Sequence, residues 1–219
     1  MLFRKKREKE LRGIKVDFGQ MSLLESEAGE DPFALFDIWF SAALQSGTKH
    51  PNAMVLATAS DSGFPSARVL LLKDYDRDGF VFFTNYQSRK GREIAGNPRG
   101  AMLFYWPELE KQVRINGMFE KVSAAESEEY FASRPRGSQI GAHASMQSSV
   151  VSGRPELEGT FAGAEREFAG RDVPRPEHWG GYRLRPESIE FWQGRENRMH
   201  DRLLFTRQGK RWRRERLAP

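Results

Sequence analysis

The alternation of apolar and polar residues along the chain predicts a core built mainly from β-strands. Between residues 53 and 122, five runs of strand length are rich in apolar residues: AMVLATAS, SARVLLLK, GFVFFT, RGAMLFYW and KQVRINGMFEKV. Turn sequences such as DSG and DYDRDG separate several of these runs. Strands joined mostly by short turns predict an antiparallel meander that curls into a barrel.

The sequence before this meander has the period of a helix. DPFALFDIWFSAALQSG offers Asp31 as the N-cap, Pro32 in the first turn and Gly47 at the end. Its apolar residues recur at spacings of three and four, which predicts a buried stripe formed by Phe33, Phe36, Phe40 and Leu44. Residues 1 to 30 show no sustained period, so we predict a flexible N-terminal extension to one domain that spans residues 31 to 219.

Three further segments have helical character. QSRKGREIAGN opens with Ser88 as a cap, SAAESEEYFASR carries a capping box from Ser123 to Glu126, and RPELEGTFAGAEREFAG contains several glycines. Near the end, YRLRPESIEFWQG and RLLFTRQGKRWRRERL add two or three strands, with a turn at residues 208 to 210. The predicted fold class is therefore α+β, mainly β, with peripheral helices.

Composition excludes several classes of protein. A chain of 219 residues with 38% hydrophobic and 12% aromatic residues is too apolar to be disordered. It contains no apolar run of about 18 residues, so we predict no membrane partner. Cysteine is absent, which excludes disulfide bonds and thiolate chemistry. The basic start is not followed by the apolar stretch of a secretory signal, and we expect a cytoplasmic protein.

The net charge of +5 favours a small ligand that carries phosphate. The basic clusters FRKKREK and GKRWRRER lie at the two ends of the chain, and no nucleic-acid-binding motif lies between them, so we predict no nucleic-acid partner. The sequence also lacks a glycine-rich dinucleotide fingerprint, a P-loop, a nucleophile elbow and an HExxH motif. Side chains must therefore hold any ligand, and no metal site is predicted.

Polar side chains cluster at four places among the apolar runs. On the strand SARVLLLK, two cations five positions apart point to opposite faces: Arg68 and Lys73. Hydroxyls and cations gather where a strand meets a helix start, a favourable place for an anion: Thr84, Ser88, Arg89 and Lys90. A third group recurs every four residues across a helix end: Tyr130, Arg134 and Ser138. HASMQSSV adds Gln147 and Ser148. Each group taken alone is also compatible with ordinary solvated side chains.

The segment FWQGRENRMHDRLLF, residues 191 to 205, is the most unusual part of the sequence. If the strand continued through it, Arg198, His200 and Arg202 would lie on one face. Like charges packed together raise the free energy of the fold unless an anion offsets them. This segment is therefore a candidate functional site, although a lone histidine is more often structural.

Together these segments resemble the pyridoxine (pyridoxamine) 5′-phosphate oxidase family. The resemblance covers residues 31 to 219 and rests on RVLLLK, FFTNYQSRKGREI, LEKQV, YFASRPRGSQIGAHASMQSS, HWGGYRL and IEFWQGRENRMHDRLLF with the terminal RLAP. It implies an FMN-binding split β-barrel and a homodimer with FMN at the subunit interface. It also implies oxidation of pyridoxine or pyridoxamine 5′-phosphate to pyridoxal 5′-phosphate, with O2 reduced to H2O2.

The resemblance implies roles for individual residues. The implied FMN contacts are Arg68, Val69, Leu70, Leu71, Leu72, Lys73, Phe83, Thr84, Arg89, Lys90, Gln112, Gln147, Ser148, Trp192 and Arg202. The implied substrate contacts are Lys73, Tyr130, Arg134, Ser138, Arg198, Met199 and His200. Among these, Arg198 and His200 are the implied catalytic residues, over the pyridine ring of the substrate.

The N-terminal extension departs from the family pattern. The family commonly carries an arginine and a tyrosine there that cover the substrate, whereas an ungapped count back from DPFALF places Lys15 and Phe18 at these positions. Lysine lacks the bidentate fork of arginine, and phenylalanine lacks the tyrosine hydroxyl.

Three other functions stay open at this stage. A relative in the same barrel superfamily, such as a phenazine-pathway oxidase, should lack the phosphate cluster of Tyr130, Arg134 and Ser138, which is present here. A non-catalytic protein could hold FMN or a B6 phosphate, but the intact run from Arg198 to His200 argues against it. The basic ends give the weakest alternative, nucleic-acid binding.

Overall fold

The computed structural model describes residue 13 and residues 18–219. Their strands are β1 (Ala53–Ala59), β2 (Pro65–Leu71), β3 (Asp74–Asp76), β4 (Gly79–Asn85), β5 (Arg99–Trp106), β6 (Lys111–Lys121), β7 (Trp179–Gln193), β8 (Asp201–Gln208) and β9 (Arg211–Arg216). The helices are α1 (Glu25–Ala28), α2 (Pro32–Gln45), α3 (Arg89–Gly96), α4 (Ala124–Ser133), α5 (Arg136–Ala144) and α6 (Arg154–Glu167), with short 3-10 helices at Pro107–Leu109 and Glu196–Arg198. The predicted α+β class, mainly β, is confirmed.

The strands form one sheet in which every paired neighbour is antiparallel. The order is β2-β1-β5-β6-β7-β4-β3, and β8 pairs with β7 and with β9. β7 is 15 residues long and pairs with β6 along most of its length. Its other edge is shared, because β4 pairs with residues 179–184 and β8 pairs with residues 188–193. The two ends of β7 therefore carry two different parts of the molecule.

Helix α2 covers the main core. Asp31 caps it as predicted, since its side chain accepts a hydrogen bond from the Phe33 amide at 3.0 Å. Phe36 is fully buried, and its ring lies 4.9 Å from that of Phe80 and 5.3 Å from that of Phe104. The predicted stripe is wrong at its end, because Leu44 is exposed and the buried residues on this side include Leu35, Trp39 and Ala43.

A second apolar cluster lies under α4, α5 and α6. It consists of Phe131, Ile140, Ala164, Phe168, Val173 and Trp179. The sequence analysis did not predict α5, because Pro135, Gly137 and Gly141 interrupt the helical pattern there. The proline is accommodated because it stands before the first turn, where a missing amide costs no helical hydrogen bond.

Part of the segment assigned to a flexible extension packs against the domain. Leu23 and Ala28 are buried and belong to the main core cluster. Arg216 on β9 donates to both carboxylate oxygens of Glu25, and Arg214 donates to the Gly29 carbonyl. The described part of residues 1 to 30 is therefore in contact with the last strand, while Lys15 lies outside the described residues. No helix in the described part of the chain is long and apolar enough to span a membrane.

Candidate active site

A cleft opens where the end of β4 meets the junction between α4 and α5. Two overlapping cavities, of about 360 and 240 Å³, occupy it. Both are lined by Asn85, Arg134, Ser138, Gln147 and Trp179. The larger one is also lined by Leu70, Lys73, Phe83, Thr84, Tyr130 and Pro135. Residues from five separate sequence segments thus meet at one concave surface, as expected of a small-molecule site.

Three aromatic rings form one wall of this cleft. The ring of Phe83 lies 4.0 Å from that of Tyr130 and 5.5 Å from that of Trp179, with interplanar angles of 18° and 11°. The sequence analysis did not identify Trp179 as a site residue. The sequence HWGG does carry a signal for a close-packed site at Trp179, because the two glycines after the tryptophan let other side chains approach the strand closely. A Cβ on Gly180 would lie 2.2 Å from the Tyr86 hydroxyl oxygen.

Arg134 carries the clearest sign of a missing partner. Its guanidinium carbon lies 4.5 Å from the centroid of the Trp179 ring and 5.5 Å from that of Phe131. Its Nη1 atom is buried and has no hydrogen-bond partner among the described residues. Burial lowers the pKa of this guanidinium. A half-buried guanidinium that lines a cleft and has no protein acceptor is suited to bind an anion such as a phosphate.

The start of α3 carries a second set of donors. Ser88 caps the helix as predicted, accepting a hydrogen bond from the Gly91 amide at 3.3 Å. The Lys90 ammonium lies 2.7 Å from the Gln147 Oε1 and 3.4 Å from the Thr84 hydroxyl. Burial lowers the pKa of Lys90, and the nearby Arg68 lowers it further. This cation is therefore held in a polar pocket beside the cleft.

A carboxylate that the sequence analysis missed organises the arginines nearby. Glu93 is 7% exposed, and Arg68 and Arg89 both donate to it, at 3.2 and 2.8 Å. The hydroxyls of Thr58 and Ser66 donate to it as well, at 2.5 and 2.6 Å. Burial acts to raise the pKa of Glu93, but these hydrogen bonds outweigh it and lower the pKa to about 2. The only sequence signal is its spacing of four from Arg89, a common ion-pair spacing on helices.

The residues of RVLLLK point in different directions. Leu70 lines the cleft, whereas Leu72 is buried in the main core. Val69 and Leu71 are exposed, at 65% and 40%. Ser148 lies next to the start of α3, where its hydroxyl accepts a hydrogen bond from the Arg89 amide at 3.1 Å.

Three of the predicted FMN contacts lie outside the cleft, in one row across the sheet. Gln112 on β6 is paired with Trp192 on β7, which is paired with Arg202 on β8. Arg202 donates to the buried carboxylate of Glu190 at 2.8 Å and to the Ala218 carbonyl at 2.8 Å. This row, which we call the distal row, is brought together by strand register alone.

The loop beside the distal row differs from the predicted strand. Residues 196–198 form a 3-10 turn, and β8 begins only at Asp201, so Arg198 and His200 do not share a strand face with Arg202. Asn197 and Arg198 have φ angles of 57° and 60°, in the left-handed region that a regular strand does not use. The prediction of one continuous strand face is therefore wrong.

His200 is nevertheless held firmly in this loop. Its Nδ1 accepts a hydrogen bond from the Arg195 amide at 3.0 Å, so the neutral ring carries its proton on Nε2. Its ring lies 4.6 Å from that of Trp192 and 4.9 Å from that of Phe18. Burial lowers the pKa of His200, and the charge of Arg198 lowers it further. Met199 beside it is exposed.

The cleft and the distal row lie at opposite ends of β7. Thr84 in the cleft is paired with Gly180, and Gln112 in the distal row is paired with Trp192. Trp192 follows Gly180 by 12 positions, which corresponds to roughly 40 Å of strand contour. Among the described residues, none of the distal row lines the cleft. Within one chain, the predicted residues therefore lie in two groups at opposite ends of β7.

Solved structures define the class of protein. The fold is similar to that of PhzG from Burkholderia lata in complex with tetrahydrophenazine-1-carboxylic acid, with a TM-score of 0.85 and 31% identity over 92% of this chain and 100% of that chain. A pyridoxamine 5′-phosphate oxidase-related, FMN-binding protein from Nostoc punctiforme shares the fold at a TM-score of 0.69 and 18% identity, over 91% of this chain and 100% of that chain. The predicted split β-barrel is confirmed.

Sequence relatives define the family. Residues 40–166 match the pyridoxamine 5′-phosphate oxidase model, and residues 179–219 match the pyridoxine 5′-phosphate oxidase C-terminal dimerisation region. Pyridoxine/pyridoxamine 5′-phosphate oxidases from Rubrobacter xylanophilus and Thermosynechococcus vestitus are 57% and 55% identical, over 96% and 94% of this chain and 97% of each relative. The chain belongs to the pyridoxine/pyridoxamine 5′-phosphate oxidase family, as the sequence analysis predicted.

Proposed function

We propose that this protein oxidises pyridoxine 5′-phosphate and pyridoxamine 5′-phosphate to pyridoxal 5′-phosphate, with FMN as cofactor and O2 as electron acceptor. The alcohol and O2 give the aldehyde and H2O2. The amine and O2, with one water, give the aldehyde, ammonia and H2O2. Family membership supports this reaction, and the observation that carries the substrate class is the guanidinium of Arg134 in the cleft, which has a buried nitrogen without a partner.

The substrate phosphate is bound at the α4–α5 end of the cleft. Arg134 supplies N–H donors, Ser138 and Tyr130 supply hydroxyls, and Lys73 supplies a second cation. Each charge-assisted hydrogen bond contributes on the order of 1.5 to 3 kcal/mol, so three or four of them suffice for firm binding. A phosphate in this position offsets the positive charge of Arg134, which partial burial disfavours.

FMN is held by the donors around the start of α3. Its phosphate fits the region where Arg68, Arg89 and Lys90 approach one another and where Gln147 and Ser148 close the pocket. The donor set fits a phosphate ester because Arg68 and Arg89 share a single carboxylate, Glu93, and Lys90 adds a third positive charge nearby, which leaves a net positive charge. Thr84 lies 3.4 Å from the Lys90 ammonium, and the ring of the adjacent Phe83 lies 4.0 Å from that of Tyr130, so these two residues contact both regions.

The separation of the two groups along β7 supports a site shared between two chains. The match of residues 179–219 to a dimerisation region supports a homodimer. In a twofold dimer, the same pair of surfaces is used twice, so the distal row of one chain can face the cleft of the other. We therefore assign Gln112, Trp192 and Arg202 to the FMN of the partner chain, at the subunit interface. The exposed apolar residues of β2, Val69 and Leu71, are available for burial in such an interface.

FMN, when bound, supplies the acceptor for the hydride equivalent that leaves the 4′ carbon, which no amino-acid side chain can accept, and passes the electrons to O2. The chain itself binds and orients the substrate. Arg198, Met199 and His200 come from the loop beside the distal row, so in the dimer this loop of one chain covers the pyridine ring of the substrate bound in the cleft of the other. His200 can donate a hydrogen bond from Nε2 because its Nδ1 is occupied by the Arg195 amide.

The first test is an absorbance spectrum of the purified protein, followed by an oxygen-consumption assay. We expect a yellow dimer with about one FMN per chain and H2O2 production from pyridoxine 5′-phosphate but not from unphosphorylated pyridoxine. FMN should also raise the melting temperature as its concentration rises, because a ligand that binds only the native state stabilises it. A colourless protein that takes up no added FMN would contradict the proposal.

The fold similarity to PhzG raises one competing function, oxidation of a phenazine precursor. Such a substrate carries a carboxylate instead of a phosphate ester. Equal rates with phosphorylated and unphosphorylated pyridoxine would favour this alternative. Bound FMN without any oxidation would indicate a binding protein.

A further inference from the structure

Arg134 is positioned by aromatic rings and not by hydrogen bonds. Its guanidinium lies against the faces of Trp179 and Phe131, at 4.5 and 5.5 Å from the ring centroids. Within the described residues, no acceptor takes a hydrogen bond from its side chain, and Nη1 is buried without a partner. A guanidinium that is held by aromatic rings and not by a carboxylate has no N–H donor committed to an acceptor in the protein.

Trp179 is itself fixed in place. It is 6% exposed, and its ring is nearly parallel to those of Phe83 and Tyr130, at 5.5 and 6.2 Å. Its backbone carbonyl accepts a hydrogen bond from Arg175 at 2.7 Å. The ring that faces Arg134 therefore has little freedom to move.

We propose that Trp179 is a positioning residue that sets the preference of this enzyme for a phosphorylated substrate. It holds Arg134 in the cleft with its N–H donors free, so that the phosphate meets donors that are already oriented. Ordering a long side chain at the moment of binding weakens affinity, and prior orientation removes that loss. This inference rests on the proposed function, because it takes Arg134 as the ligand of the substrate phosphate.

A simple packing role for Trp179 predicts a different result. The ring also belongs to the second apolar cluster, together with Phe168 and Val173. If it only filled space there, its replacement would lower the melting temperature without changing the KM for phosphorylated substrate. Phe168 provides the matched control, because it is equally buried in this cluster but has no contact with Arg134.

The experiment compares the parent with Trp179→Leu, Trp179→Phe and Phe168→Leu, all loaded with FMN. In Trp179→Leu, we expect the KM for pyridoxine 5′-phosphate to rise on the order of ten-fold, with kcat at saturation within about two-fold of the parent. Trp179→Phe keeps a smaller ring, and its KM should rise about two- to three-fold. Phe168→Leu should keep the parent KM although its melting temperature falls.

Two further measurements separate the possible failures. Calorimetry should show the same loss of affinity for pyridoxine 5′-phosphate in the FMN-free variants, where no turnover occurs. In an Arg134→Ala background, Trp179→Leu should change the KM little, because a residue that acts through Arg134 has no effect once Arg134 is gone.

A parent-like KM in Trp179→Leu, together with a raised KM in Arg134→Ala, would overturn the inference and leave the proposed function standing. A parent-like KM in Arg134→Ala would instead remove the substrate role of Arg134 and with it the phosphate site of the proposed function. If Trp179→Leu does not fold, Trp179→Phe decides the case, since a parent-like affinity in that variant also overturns the inference.

Discussion

The arginines of this protein are held in two different ways. In the cleft, Arg134 rests on aromatic faces and has a buried nitrogen without a partner. Next to α3 and in the distal row, Arg68 and Arg202 are bound by the buried carboxylates of Glu93 and Glu190. Both arrangements fix a guanidinium, but only the first leaves its donors free.

This difference separates arginines whose charge a carboxylate of the fold already compensates from an arginine whose charge no carboxylate compensates. Breaking a buried ion pair is strongly destabilising, because it leaves one charge without compensation. No carboxylate compensates the charge of Arg134 in the described part of the chain, and its Nη1 atom is buried without a partner, so a bound anion would supply the missing interaction. We infer that the carboxylate-bound arginines contribute to stability before any ligand binds, whereas Arg134 contributes mainly to binding.

The largest expected effect tests whether the cleft of one chain and the loop beside the distal row of the other chain form one site. Arg134→Glu places a negative charge beside the substrate phosphate, and His200→Ala removes the ring that contacts Trp192. The homodimer of either variant should therefore lose on the order of a hundred-fold in kcat/KM. When the two variants are co-expressed with different tags, the mixed dimer contains one intact site. Random pairing should then restore about a quarter of the parent activity.

Stopped-flow measurement of flavin reduction under anaerobic conditions follows the His200 effect directly. Arg198→Ala serves as a second variant of the same loop, with FMN content and melting temperature as controls. If the mixed dimers stay as slow as the homodimers, the shared site is excluded. Parent-like reduction in both His200→Ala and Arg198→Ala would mean that the loop is structural.

The next prediction compares the two kinds of arginine by stability. Glu93→Gln should lower the free energy of unfolding by about 3 kcal/mol, because Arg68 and Arg89 lose their carboxylate. Arg134→Leu should leave it within about 1 kcal/mol of the parent, because no carboxylate is abandoned. Urea unfolding of the FMN-free proteins measures both. The comparison fails if Arg134→Leu is the more destabilised of the two.

Acid unfolding sharpens the same test. The pKa of Glu93 is lowered to about 2 in the folded protein. Its contribution to the free energy of unfolding is therefore complete above pH 4.5, the ordinary pKa of the group, and is lost as the pH falls from there towards 2. The parent should lose stability over this range more steeply than Glu93→Gln does.

A smaller effect concerns Phe18, the described residue of the N-terminal segment that contacts His200. A Cβ on Gly194 would lie 2.4 Å from a ring carbon of Phe18, so Gly194→Ala should displace that ring. The amide of Gly19, which donates to the Glu110 carboxylate at 2.8 Å, should then exchange faster with solvent. Gly163→Ala on α6, where a Cβ meets nothing within 4 Å, is the matched control. Unchanged exchange in Gly194→Ala would show that Phe18 does not depend on this contact.

The smallest effect is the titration of His200. Its pKa lies below the ordinary 6.5 because of burial and the charge of Arg198. As the pH falls, His200 takes up its proton in the unfolded chain before it does so in the folded protein. Protonation therefore lowers the free energy of unfolding below pH 6.5 and has no effect on it above that pH. NMR of the histidine ring protons should show a midpoint below 6.5 that moves upwards in Arg198→Ala. A midpoint at the ordinary value in the parent contradicts the tight packing of this ring.

Much of the fold could be predicted from the sequence, because local signals agree with the tertiary structure. The cap at Asp31, the cap at Ser88 and the five strand runs of the meander are all found where they were predicted. The loop at residues 196–200 was predicted wrongly, because Asn197 and Arg198 take left-handed φ angles. Asparagine adopts such angles more readily than most residues and is a weak signal that the strand ends there. Arginine does not favour them, so the angle of Arg198 is imposed by surrounding contacts.

The site could be predicted only in part, and for a related reason. Arg134, Lys90 and His200 are polar residues in unusual sequence surroundings, which makes them visible. Glu93 and Trp179 look like an ordinary helix carboxylate and an ordinary core aromatic. Their roles depend on which side chains lie opposite them, and only the register of β7 and the packing of α3 determine that.

The topology of the sheet has a consequence for synthesis on the ribosome. In the described part of the chain, β3 and β4 join the sheet only through β7, which is made about 100 residues after β4. At ~5 to 20 residues per second, the nascent chain carries the almost wholly apolar strand GFVFFTN for roughly 5 to 20 s before its partner emerges. During that interval its edge lacks its native partner, so this stretch is where a chaperone would bind and where co-translational aggregation would begin.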